Sequence, residues 1–114
     1  MIIAVDFDGT LCENKYPEIG QPITYTIYSL KKLREQGNKL ILWTCRENEM
    51  LENALKWCKE QGLEFDAVND SLEEEKLKYG TSPRKIGADV YIDDKNADIH
   101  QIHMMNLAIN GFYE

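Results

Sequence analysis

Basic charge, cysteine and histidine are scarce in this chain, and each shortage removes a class of function. Thirteen Lys and Arg stand against twenty Asp and Glu, a formal net charge of −7. Nucleic acid and anionic membrane repel such a surface unless its basic residues cluster, and here they do not. Basic and aromatic residues are not interleaved either, so nucleic acid is expected only as an end-phosphate substrate. The three cysteines, Cys12, Cys45 and Cys58, are odd in number and lack metal-type spacing, the usage of reduced thiols in a cytoplasm. The two histidines, His100 and His103, are spaced to share a helix face but have no evident third ligand, so zinc is not expected. No apolar run reaches the roughly 18 residues of a membrane span. The first residues, Met1 to Asp6, lack a basic leader and turn acidic at once, as a strand does and a signal peptide does not.

What remains is the composition of a folded globule: 114 residues, 43% hydrophobic, sized for a single domain spanning 1–114. Ile2 to Val5 is a short β-branched run, the mark of a strand buried on both faces. From Pro22 a helical pattern opens, with Ile23, Ile27, Leu30 and Leu33 in phase and Gly37 as its stop. Leu40 to Trp43 reads as a second buried strand, and Glu47 to Gln61 as a second amphipathic helix. Phe65 to Val68 is a third strand, Asn69 to Arg84 a long loop with one helical turn, and Asp89 to Ile92 a fourth strand. Beyond Lys95 the pattern suggests a short helix and an edge strand over Asn106 to Ile109. The alternation predicts an α/β fold: a three-layer, Rossmann-like parallel sheet flanked by helices.

Open parallel sheets bind ligands beyond the carboxyl ends of their strands. The residues there are Asp6, Phe7 and Asp8, then Thr44, Cys45 and Arg46, then Asn69 and Asp70, then Asp93 and Asp94. Carboxylates gathered at one sheet end repel each other, and a hard cation with oxygen ligands offsets that repulsion; Mg²⁺ is the usual one beside phosphate. Asp6 and one of Asp93 or Asp94 would offer side-chain oxygens, and Asp8 its backbone carbonyl. A single Asp after a strand is ordinarily a turn former. Two acidic pairs at separate strand ends carry more weight.

Asp6-Phe7-Asp8-Gly9-Thr10-Leu11, directly after the first strand, resembles the DxDGT signature of the haloacid dehalogenase superfamily. Thr44, Lys85 and Asp93-Asp94 follow in that family's order, and the resemblance runs from about Ile2 to Asn96. Stretches such as Tyr16-Pro17-Glu18-Ile19-Gly20 and Ser82-Pro83-Arg84-Lys85 are similar to a subgroup of short bacterial and phage members. The resemblance implies a Mg²⁺-dependent phosphatase. Asp6 would be the nucleophile that becomes an aspartyl-phosphate, and Asp8 the general acid and base. Thr44 would bond a phosphate oxygen, and Lys85 would offset charge on the transferring group. Lys76, Lys78 and Lys95 are also in range for that last role. Asp6, Asp8, Asp93 and Asp94 would hold the metal, Asp93 directly. Phe7, Gly9, Thr10, Cys45 and Arg46 would line the substrate, with Gly9 turning the chain beside the phosphate.

Family members often carry a cap domain over the site. Here the gap from Leu11 to Gln21 has room only for a flap, and Asn69 to Arg84 only for a loop. The expectation is a capless protein with an open site, taking a small phosphorylated substrate, or a bulky one, with a neighbouring subunit as a possible cover. Arg46 stands between binding a second anionic group and a surface ion pair, whereas Cys45 fits a small buried thiol. A receiver-type signalling domain is rejected because its threonine would follow the fourth strand, and Thr44 comes too early. A phosphate-binding protein without turnover and a phosphotransferase remain as rivals.

Overall fold

The computed structural model describes residues 1–96 and 99–111. Four parallel strands form the central sheet: β1 (Ile2–Val5), β4 (Lys39–Leu42), β5 (Ala67–Val68) and β6 (Val90–Ile92), ordered β5-β4-β1-β6. β1 sits between β4 and β6, with Val5 level with Leu42 on one side and Ile92 on the other. That register aligns three strand ends, so the residues after Val5, Leu42 and Ile92 emerge together.

Alternation along these strands feeds two apolar layers. Ile3, Val5, Leu40 and Leu42 pack with Ile27, Leu30, Ala54 and Cys58 of α1 (Thr24–Glu35) and α2 (Asn48–Glu60). Burial among these groups pushes the Cys58 thiol up to about 12, leaving it an inert core residue. On the opposite face Ala4 and Ile41 pack with Leu72 and Ile86. Helix, sheet and loop-plus-helix therefore make the three layers expected of this α/β fold.

Several expectations need correction. Pro22 opens no helix; it ends β3 (Glu18–Pro22), which pairs antiparallel with β2 (Cys12–Lys15). The short flap is thus a two-stranded hairpin. Gly20 is required in it, because a Cβ there would overlap the Glu13 backbone across the hairpin. The stretch expected to be a loop with one turn holds α3 (Glu73–Tyr79), and its charges explain why. Glu73, Glu74 and Glu75 occupy its positive N-terminal turn, Lys76 and Lys78 its last turn, and Gly80 ends it at φ 68°. The edge strand forecast over 106–109 is part of α4 (Ile99–Asn110) instead. β-Branched residues are sparse there, and His103, Met104, Met105, Leu107 and Ala108 suit a helix as well as a strand. Neither gap open to insertion holds a cap domain.

Leu42 is fully buried between β1 and the two helices. Leu42→Ala should lower stability in denaturant unfolding by about 2–5 kcal/mol. Leu77→Ala, at an 82% exposed position, should change it by less than about 0.5 kcal/mol.

Candidate active site

Asp6 is the first residue past β1, and its backbone N–H donates to the Ile92 carbonyl at 2.9 Å. This bond extends the β1–β6 ladder by one step and brings Asp6 beside Asp93 and Asp94. One carboxylate oxygen from each of the three lies within 4.8 Å of the others. Burial is the main cause that raises Asp6 from its ordinary 3.8 to about 6; the Phe7 N–H, bonded to the carboxylate, opposes the rise. Asp93, Asp94 and Asp8 add to it by repulsion.

Gly9 explains how Asp94 fits. At φ 86° its backbone is left-handed, and a Cβ there would overlap the Asp94 carboxylate. Expected beside a phosphate, this glycine makes room for Asp94 instead. Three half-exposed or exposed carboxylates, closely grouped and seated against a glycine, fit a hard divalent cation such as Mg²⁺. Asp6, Asp93 and Asp94 would hold it. The Asp8 side chain is not in this group, because Arg46 engages both of its oxygens at 2.8 Å.

A cleft of about 370 Å³ opens here, lined by Asp6, Asp8, Thr44, Cys45, Arg46, Asp93, Asp94 and Lys95, with Asn14 and Tyr16 of the flap. Thr44 is held at the end of β4 by the Asn69 side chain, which accepts the Thr44 backbone N–H at 2.7 Å. Asn69 reaches it from the end of β5 at φ 52°. The Thr44 hydroxyl accepts the Arg46 backbone N–H at 3.2 Å, so its own proton can still be donated to a ligand.

Three other sequence-predicted site residues are placed differently. Phe7 is wholly buried and meets Trp57 edge-on at 5.5 Å, so its side chain serves the core and only its backbone faces the site. Thr10 is buried too, with a hydroxyl that has no hydrogen-bond partner. Arg46 is neither a surface ion pair nor a free anion binder; its side chain is 1% exposed and paired to Asp8. Cys45 is exposed in the cleft, the lining position the resemblance implied rather than the buried one its thiol suggested.

Lys85 stands outside the cleft, its Nζ 5.4 Å from the centre of the Tyr91 ring, in a neighbouring hollow with Trp43, Asp93 and Asn96. Lys95 lines the cleft instead. The Asp93 carboxylate accepts the Lys95 backbone N–H at 3.0 Å, which holds that residue at the end of β6. Asp70 also turns away, bonded to Lys76 and Ser82, and the Lys76 ammonium holds it below the usual carboxylate range. Asn14 and Tyr16 had no sequence signal, because their place in the cleft depends on how the hairpin folds over. The group of Asp6, Asp93 and Asp94 is the one metal-type cluster among the described residues. The side chain of His100 lies outside the described residues, and His103 is exposed.

Similarity to known proteins is specific but spare. No family model matches the chain, and no curated protein matches it. A solved structure described as the conserved protein coded by a locus of Bacteroides thetaiotaomicron is 43% identical, over 96% of this chain and 92% of that one, with a TM-score of 0.75. Among the described residues no helix is long and apolar enough to cross a membrane.

The raised Asp6 has a signed consequence for metal-free protein. Between 3.8 and about 6 the folded chain holds a proton that the unfolded chain has released. The Asp6 contribution is therefore fully present at low pH and lost as pH rises through that window. Thermal melts of metal-free wild type and Asp6→Asn from pH 4 to 7 should diverge there, wild type losing on the order of 1 kcal/mol relative to the variant. At pH 7, Mg²⁺ should raise the wild-type Tm and leave that of Asp6→Asn nearly unchanged. Parallel curves with no Mg²⁺ effect would remove the cluster as a metal site.

Proposed function

The chain belongs to the same family as the conserved Bacteroides thetaiotaomicron protein, and we propose that it is a Mg²⁺-dependent phosphate-ester hydrolase of the haloacid dehalogenase superfamily. One observation carries the reading: Asp6, at the end of the central strand, shares a cleft with three further aspartates, Asp8, Asp93 and Asp94, and with Thr44 and Lys95. Acidic groups alone would suit a cation. Acidic and cationic groups with a free hydroxyl donor suit a cation and a phosphate together.

In this proposal an Asp6 carboxylate oxygen attacks phosphorus, and the bond from phosphorus to the ester oxygen breaks. Asp8 gives the departing oxygen its proton, so the alcohol leaves neutral. Water then attacks the aspartyl-phosphate, Asp8 takes a proton from it, and Asp6 leaves as a carboxylate with inorganic phosphate released. Thr44 donates to a phosphate oxygen, and Lys95 offsets negative charge, the role first assigned to Lys85. Mg²⁺, held by Asp6, Asp93 and Asp94, would supply positive charge opposite the transferring phosphoryl group. Without a cap domain the cleft stays open to water, which favours hydrolysis over transfer to another acceptor. An open cleft admits a small phosphorylated substrate or the phosphate end of a larger one.

Turnover of p-nitrophenyl phosphate and a panel of phosphate esters, with and without Mg²⁺, tests the proposal. Wild type should turn over only with Mg²⁺, and Asp6→Asn should lose turnover altogether. Asp8→Asn should lower kcat roughly 100- to 10,000-fold, less on p-nitrophenyl phosphate than on alkyl esters. Lys95→Ala should weaken turnover more than Lys85→Ala. Mg²⁺ binding with no turnover of any ester would instead favour a phosphate-binding protein.

A further inference from the structure

We propose that Arg46 is a positioning residue for this reaction: it fixes the Asp8 carboxylate for proton transfer, and it ties that placement to the β2–β3 hairpin. The inference rests on the hydrolase reading and extends it to a group that does not itself touch substrate.

A guanidinium with 1% of its side chain exposed is tolerated only where its N–H groups are satisfied. Those of Arg46 are spent in two directions. Nε donates to Asp8 Oδ2 and Nη2 to Asp8 Oδ1, both at 2.8 Å, the fork geometry that fixes a carboxylate in position and plane. Nη1 donates to the Pro17 carbonyl at 3.2 Å, and Nη2 also to the Glu18 carbonyl at 3.1 Å, both at the hairpin turn. The guanidinium carbon lies 5.0 Å from the centre of the Phe7 ring and 5.1 Å from that of Tyr16. Four of five donors are taken and almost no surface remains, so the group is closed to a substrate anion.

Asp8 is not closed in the same way. The fork occupies about two of its four or so acceptor sites. Its side chain keeps 16% exposure and lines the cleft with Asp6. Asp8 is thus oriented from behind and available in front, as an acid and base must be. The hairpin belongs to the same unit. Moving the Pro17 and Glu18 carbonyls displaces the guanidinium, and the carboxylate it holds moves with it. Lysine cannot substitute, since one ammonium cannot set the plane of a carboxylate.

A purely structural arginine and a positioning one differ in leaving-group dependence. With Mg²⁺ present, kcat/KM would be measured on p-nitrophenyl phosphate, whose leaving oxygen barely needs a proton, and on phenyl phosphate, whose oxygen needs one. Arg46→Lys should lose roughly tenfold more on phenyl than on p-nitrophenyl phosphate. In an Asp8→Asn background the same change should cost less than about twofold, because its effect runs through Asp8. Equal loss on both esters, or full additivity with Asp8→Asn, overturns the proposal. Should Arg46→Lys not fold, Tyr16→Leu, at an exposed ring over the guanidinium, should steepen the dependence in the same direction; an unchanged dependence there overturns it as well. A wild type inactive on both esters removes the hydrolase reading itself, whereas equal losses in active variants remove only the role of Arg46.

Discussion

The hydrogen bond from the Asp6 amide to the Ile92 carbonyl is the constraint on which the site depends. It requires Asp6 to leave the central strand level with the end of β6, and so forces its carboxylate against Asp93 and Asp94. Burial and like charge then raise Asp6 toward neutral pH. A fold that keeps such an arrangement holds an electrostatic cost, and a cation in the same place would relieve it. The glycine at position 9 belongs to the same constraint. Its missing side chain leaves the space that Asp94 takes up.

A second set of contacts separates the two aspartates of the Asp6-Phe7-Asp8 segment. Asp6 faces the other carboxylates, whereas Asp8 is held by the only buried guanidinium among the described residues. Two carboxylates two residues apart are thereby given different electrostatic surroundings, one acidic and one basic. In the proposed hydrolysis a cation held beside Asp6 would keep that carboxylate ionised for attack, and Arg46 would orient Asp8 for proton transfer. Phe7 between them anchors the segment, its ring buried in the core against Trp57 and beneath Arg46.

Strand positions and the convergence of acidic residues were legible in the sequence because they follow from period and from the placement of residues after strands. β1, β4, β6, α1 and α2 fall within a few residues of expectation. The hairpin was not legible: its strands, Cys12–Lys15 and Glu18–Pro22, are largely polar and exposed, and carry no alternation. Missing the hairpin hid the roles of Asn14, Tyr16 and Arg46, all of which depend on how it folds over the cleft. Charge in the 73–79 segment suggested a loop, although its acidic-first, basic-last order is that of a helix complementing its own dipole. The choice of lysine was not legible either. Several lysines were within reach along the chain, and chain order alone could not weigh Lys85 against Lys95.

The central claim is that Asp6 carries the phosphoryl group, and trapping that group tests it most directly. Wild-type protein turning over a radiolabelled phosphate ester with Mg²⁺ would be quenched rapidly in acid, digested, and its labelled peptide treated with hydroxylamine. An acyl phosphate predicts label on the peptide containing Asp6, stable to acid, released by hydroxylamine and absent from Asp6→Asn. Turnover without protein-bound label, or label on a peptide carrying Cys45 rather than Asp6, would contradict the account.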